Sequence, residues 1–112
     1  MTCQTISTMV KEGQNPIIFV MNNGIFGIEQ WLVDAKVFAS NDPGKVAHTN
    51  VLHRWHYSKL TEAFGGRGWA VETLADLDQA LTEIKELPDE LCLIDVRVDE
   101  LSYPEDLAWR VN

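Results

Sequence analysis

One short run limits what this chain can become: Pro16-Ile17-Ile18-Phe19-Val20-Met21, stopped abruptly by Asn22-Asn23-Gly24. It has strand length but lacks the alternation of a half-buried strand. Such a run predicts a β-strand with both faces covered, as in a parallel sheet. Leu91-Cys92-Leu93-Ile94-Asp95-Val96 is a second run of the same kind, and Gly68 to Thr73 reads as a shorter strand. Helical patterns separate them. Leu74, Leu77, Ala80, Leu81 and Ile84 form one apolar stripe between Leu74 and Leu87, closed by Pro88. Trp55 to Phe64 is helical up to Gly65-Gly66, Ile28 to Asp34 makes a short helix, and Thr2 to Lys11 makes another that Gly13 stops. The order implies an α/β fold, a parallel sheet of three strands with flanking helices. No strand precedes the first helix, so the chain is expected to begin inside a βαβ unit. Residues 35–53 lack any period and predict a long loop of the functional or mobile kind.

A length of 112 residues suits one domain or part of one. The formal net charge of -8 opposes nucleic-acid binding, which needs a basic face to displace counterions from phosphates. No apolar run approaches the roughly 20 residues of a membrane span, and the amino terminus lacks the pattern of a signal peptide. Cys3 and Cys92 lie far apart in apolar surroundings. They read as reduced, mostly buried thiols of a cytoplasmic protein. His48, His53 and His56 have neither a cysteine cluster nor zinc-site spacing. Trp31, Trp55, Trp69 and Trp109 read as packing and interface residues.

Open parallel sheets bind ligands beyond the carboxyl ends of their strands. Asn22-Asn23-Gly24 leaves the most apolar strand at that edge. An Asn amide oxygen is a neutral, hard donor suited to Mg2+ or Ca2+. Gly24 lets backbone approach, so that a neighbouring carbonyl can join it. Glu29 follows six residues after Asn23, near the start of the next helix. On residue type alone Asn-Gly after a strand is more often a plain turn, and Glu29 is more often an ordinary first-turn glutamate favoured by the helix dipole.

The series Met-Thr-Cys-Gln-Thr-Ile-Ser-Thr-Met, then Pro-Ile-Ile-Phe-Val-Met-Asn-Asn-Gly-Ile-Phe-Gly-Ile-Glu, resembles the cofactor domain of thiamine-diphosphate enzymes. The nearest group is the pyruvate and indolepyruvate decarboxylases. The likeness continues through Trp55-His56-Tyr57, Ala63-Phe64-Gly65-Gly66, the helix at Leu74 and Leu93-Ile94-Asp95-Val96. It implies Mg2+ held by the Asn23 side chain and the Ile25 carbonyl, with Gly24 between them in the cofactor-binding turn. The metal would hold the diphosphate, Ile28 would shape the substrate pocket, and Glu29 would reach the reaction centre. The implied activity is non-oxidative decarboxylation of a 2-oxo acid through an enamine, with the cofactor as electron sink. A carboxylic acid that is to pass a proton near neutrality needs a closed, apolar surrounding. Tyr103-Pro104-Glu105-Asp106 would begin either a tail over the active site, as in related enzymes, or a solvent-exposed tail.

Departures from the pattern set further expectations. The family's Gly-Asp-Gly is absent from this sequence, and Thr5 stands where Glu is usual. Residues 1–112 are therefore expected to be the carboxyl-terminal part of a thiamine-diphosphate-binding domain, lacking that upstream segment and its acidic metal ligand. The chain alone should be inactive, depending on the remaining domains of the same enzyme or a partner subunit, in a homo-oligomer. Gly27 and Gln30-Trp31 are similar to acetolactate synthases instead, leaving a carboligase fragment as one alternative. A non-catalytic α/β interaction remnant is another.

Overall fold

The protein was analysed as a computed structural model that describes residues 3–110. The chain forms two compact units: Met1–Asn22 with Trp55–Arg97, and Asn23–Arg54 with Val98–Asn112.

The first unit contains α1 (Gln4–Lys11), β1 (Ile17–Asn22), α3 (Tyr57–Ala63), β2 (Arg67–Val71), α4 (Leu74–Ile84) and β3 (Cys92–Arg97). Its three strands are parallel in the order β1-β3-β2, as the continuous apolar runs imply. The register sets Ile17 and Arg67 on either side of Cys92, and Phe19 and Trp69 on either side of Ile94. Central β3 is buried from Cys92 to Asp95. On one face Cys92 and Ile94 share a core with Val71 and with Ala80 and Ile84 of α4. Burial pushes the Cys92 thiol pKa up, and the Glu90 charge pushes it further. Cys3 and Cys92 are both free thiols, though Cys3 is only half-buried.

Local chemistry fixes the ends of these elements. Thr73 and Asp76 form a reciprocal capping box at the start of α4. The hydrogen bond with the Thr73 side chain, then the backbone N–H groups of Glu72 and Thr73, hold the Asp76 carboxyl below its ordinary range. Glu83 accepts the Trp69 indole N–H at 2.8 Å, which with Gln79 also lowers its pKa and ties α4 to β2. α3 packs against β2 and β3. Gly68 permits that approach, because a Cβ there would lie 2.2 Å from the Ser58 carbonyl oxygen.

Several expectations need correcting. β1 is an edge strand with one open face: Ile17, Phe19 and Met21 are 48%, 50% and 64% exposed. α4 lies on that same face but packs over β2 and β3, so among the described residues the β1 side of the face stays largely exposed. Leu74 opens α4 but is itself exposed, and the helix's buried stripe begins at Leu77. The helix read from Trp55 starts at Tyr57, and the strand read as Gly68 to Thr73 spans Arg67–Val71. α1 starts at Gln4, while Thr2 lies outside the described residues.

The second unit contains α2 (Gly27–Asp34) and short 3-10 turns at Ala35–Ala39, Pro43–Lys45, His48–Asn50 and Glu105–Arg110. The expected featureless loop at 35–53 is therefore largely turned, and it supplies core. Val37, Phe38 and Val46 are buried with Ile25, Trp31 and Leu101, and Tyr103 and Leu107 pack against them. The reason lies in Gln30, itself buried. Its side-chain oxygen accepts the Ala47 N–H at 2.9 Å and the Asn50 amide at 3.1 Å, satisfying polar groups that a loop usually leaves to water. No helix among the described residues is long and apolar enough to cross a membrane.

Candidate functional site

The two asparagines that end the apolar run serve different units. Asn22 closes β1, and its amide donates to Asp95 Oδ1 at 2.9 Å and to the Trp55 carbonyl at 3.3 Å. It thereby joins β1, β3 and the approach to α3. Asp95 is fully buried, and its Oδ2 stands 3.9 Å from Arg97 Nε without a hydrogen bond.

Asn23 opens the second unit. Its Oδ1 accepts the Ile25 N–H at 3.2 Å, closing an Asx turn. Gly24 within that turn has φ +76°, a left-handed conformation that side chains rarely adopt. The segment before α3 pins the turn from outside. Leu52 N–H donates to the Gly24 carbonyl at 2.9 Å, Phe26 N–H donates to the Asn50 carbonyl at 2.8 Å, and Ile25 pairs antiparallel with Val51. Arg54 Nη2 donates to the Asn23 carbonyl at 3.3 Å and forms an ion pair with Glu100.

Asn23, Ile25 and Ile28 line one cavity of about 300 Å³, together with Trp31, Tyr103 and Leu107. An aromatic trio stiffens its wall. The Trp31 ring lies 4.9 Å from Phe38 and 5.4 Å from Tyr103, centroid to centroid, within the range for favourable tilted pairs. The Tyr103-Pro104 segment, expected to begin a tail, thus faces the same space as Asn23.

Of the residues singled out from sequence, Asn23, Ile25 and Ile28 come together here. Gly24 is buried and contributes backbone conformation alone. Glu29 sits in the first turn of α2, exposed, and is not among the residues lining the cavity. Sequence reasoning missed Arg54 and Glu100, which lie 46 positions apart and carry no motif. It noted Gln30 for its family likeness but not as the hydrogen-bonding centre of the second unit.

The donor set suits part of a hard-cation shell. Asn23 Oδ1 keeps a lone pair beyond the one used by Ile25 N–H, and the Ile25 carbonyl can supply a second neutral oxygen. Among the described residues no group of three or more His, Cys, Asp or Glu could hold a metal ion. No carboxylate is among the residues that line the cavity beside Asn23 and Ile25.

Residues 1–96 match the family described as "Thiamine pyrophosphate enzyme, C-terminal TPP binding domain". The chain is 36% identical to "Pyruvate decarboxylase 4" of Arabidopsis thaliana, an overlap covering 96% of this chain and 17% of the relative. It is 28% identical to "Alpha-keto-acid decarboxylase" of Mycobacterium leprae (strain TN), covering 96% and 18%. It is 30% identical to "Pyruvate decarboxylase" of Aspergillus parasiticus, covering 100% and 19%. The chain therefore spans less than a fifth of the length of these curated relatives.

Proposed function

We propose, proceeding from the fact that this chain belongs to the thiamine pyrophosphate enzyme family as a C-terminal TPP-binding domain, that it forms part of a Mg2+-dependent 2-oxo-acid decarboxylase. One observation carries the reading. Asn23 and Ile25, the two candidate metal ligands, line the same cavity as Ile28, the candidate substrate-pocket residue. A pinned turn with a left-handed Gly24 presents both ligands.

In this reading Asn23 Oδ1 and the Ile25 carbonyl would hold Mg2+ through two neutral oxygens, placing it where it would bind the cofactor's diphosphate. The bound cofactor supplies the electron sink for loss of CO2 from the 2-oxo acid. Ile28, Trp31 and Tyr103 bound the space available to the substrate's side chain. Glu29 is the candidate proton carrier, acting once the open face of its helix turn is covered. The acidic metal ligand and that cover come from the remaining domains of the enzyme or a partner subunit. The exposed apolar face of β1 supports such a neighbour, since a patch of this kind marks an interaction surface. The working form is a cytoplasmic homo-oligomer, and residues 1–112 are the carboxyl-terminal part of the binding domain.

The test is turnover of pyruvate and larger 2-oxo acids by the complete enzyme, with aldehyde and acetolactate both quantified. Glu29→Gln should lower kcat by roughly 10²- to 10⁴-fold, the range for losing a positioned acid or base. Unchanged kcat removes Glu29 from the chemistry. Acetolactate as the main product moves the enzyme to the carboligases.

A further inference from the structure

We propose that Arg54 is a positioning residue for the metal-binding turn, a role that rests on the reading of Asn23 and Ile25 as ligands. Three observations within the second unit converge on its guanidinium. Nη2 donates to the Asn23 carbonyl, the backbone oxygen of the residue whose side chain is the candidate ligand. The guanidinium also lies against the face of Gly24, where a Cβ would come within 2.6 Å of Nε. It is held in turn by Glu100, which precedes the cavity-lining segment that includes Tyr103 and Leu107. Gly24 is thus fixed twice over, by its left-handed φ and by the cation packed on it.

The backbone bonds from Leu52 and Phe26 hold Gly24 and the stretch after it. Arg54 secures the Asn23 carbonyl upstream. Release of that carbonyl lets the Asn23 peptide rotate, and rotation moves Oδ1 away from the direction it shares with the Ile25 carbonyl. Glu100 both aims the guanidinium and offsets its charge beside a site meant for a divalent cation. This makes the sign of the effect informative. A bare positive charge next to a metal site repels the metal, so its removal should tighten binding. A positioning role predicts weaker binding. Outer partners that orient metal ligands typically matter by about 10- to 100-fold in affinity.

The experiment is a Mn2+ titration of the complete enzyme in the presence of thiamine diphosphate, where the acidic ligand from the remaining domains is in place, read by the electron paramagnetic resonance of free Mn2+. The wild type should bind one Mn2+ per copy of this chain. Arg54→Ala should require about 10- to 100-fold more Mn2+ for the same occupancy, with an unchanged thermal midpoint. Arg54→Lys should recover part of the loss, since an ammonium can still donate to the Asn23 carbonyl. Equal or tighter Mn2+ binding in Arg54→Ala overturns the role. If that variant does not fold, Glu100→Gln decides: it should weaken binding in the same direction, and no change overturns the role. Asn23→Ala tests the underlying reading separately. Should it bind Mn2+ like the wild type, the metal reading fails whatever Arg54 does.

Discussion

The two units of this protein solve the same folding problem by different means. In the sheet unit, backbone ladders pair β3 on both sides, and apolar side chains fill the space beneath α4. In the other unit regular structure is confined to α2, and side chains satisfy the backbone: Gln30 serves Ala47 and Asn50, Asn23 serves Ile25, and Arg54 serves Asn23. The cavity belongs to the second kind. A ladder repeats and tolerates change along its length. A side-chain clamp serves one place, which suits a site whose donors must point in particular directions.

The contrast breaks most readily at Ile94. This residue is fully buried at the centre of the sheet-unit core. Ile94→Ala should cost about 2–5 kcal/mol, as lost transfer energy plus the cavity left behind. Denaturant unfolding measures the loss, and hydrogen exchange should show it in the β3 amides. A cost under about 1 kcal/mol would mean the core relaxes around the gap, outside the usual range for such truncations.

Gln30→Leu asks the opposite question of the other unit. The change keeps the apolar bulk but removes the acceptor of the Ala47 N–H and the Asn50 amide. Orphaning the buried Asn50 amide should cost about 1–3 kcal/mol, and the part-buried Ala47 N–H less. Protection of the Ala47 amide should fall with it. Were stability unchanged, the aromatic trio and its apolar neighbours would be holding this unit, and the distinction between the two units would collapse.

The same division decides what was legible in the sequence. Period alone located β3, α4 and the parallel order, because burial against a sheet writes itself as runs and stripes. It failed at Phe19 and Leu74, whose apolar character says that a face should be covered but not by what. Asn23, Ile25 and Ile28 became candidates by resemblance, since an Asn-Gly turn on its own is indistinguishable from any hairpin end. The 35–53 segment read as loop because Gln30, which organises it, looks like any polar helix residue until Ala47 and Asn50 arrive beside it. Arg54 and Glu100 were out of reach for the same reason: no local pattern encodes a pairing across 46 positions.

The smallest expected effect tests whether the sheet unit also depends on a side-chain clamp. Thr73 and Asp76 cap α4 reciprocally, and Thr73→Ala should cost about 1 kcal/mol near neutral pH. The pH dependence follows from the depressed Asp76 pKa. A carboxyl whose folded pKa lies below its unfolded value stabilises the fold above the unfolded value, about 4, and loses that contribution as pH falls through the folded value. The gap in stability between wild type and Thr73→Ala should therefore be full at pH 7 and narrow only on acidification below about 4. Measured as denaturation midpoints across that range, a gap that stays constant would assign the cap to the hydroxyl alone. A narrowing gap places the Asp76 charge within the clamp, so that even the unit built on ladders begins its longest helix with a device of the other kind.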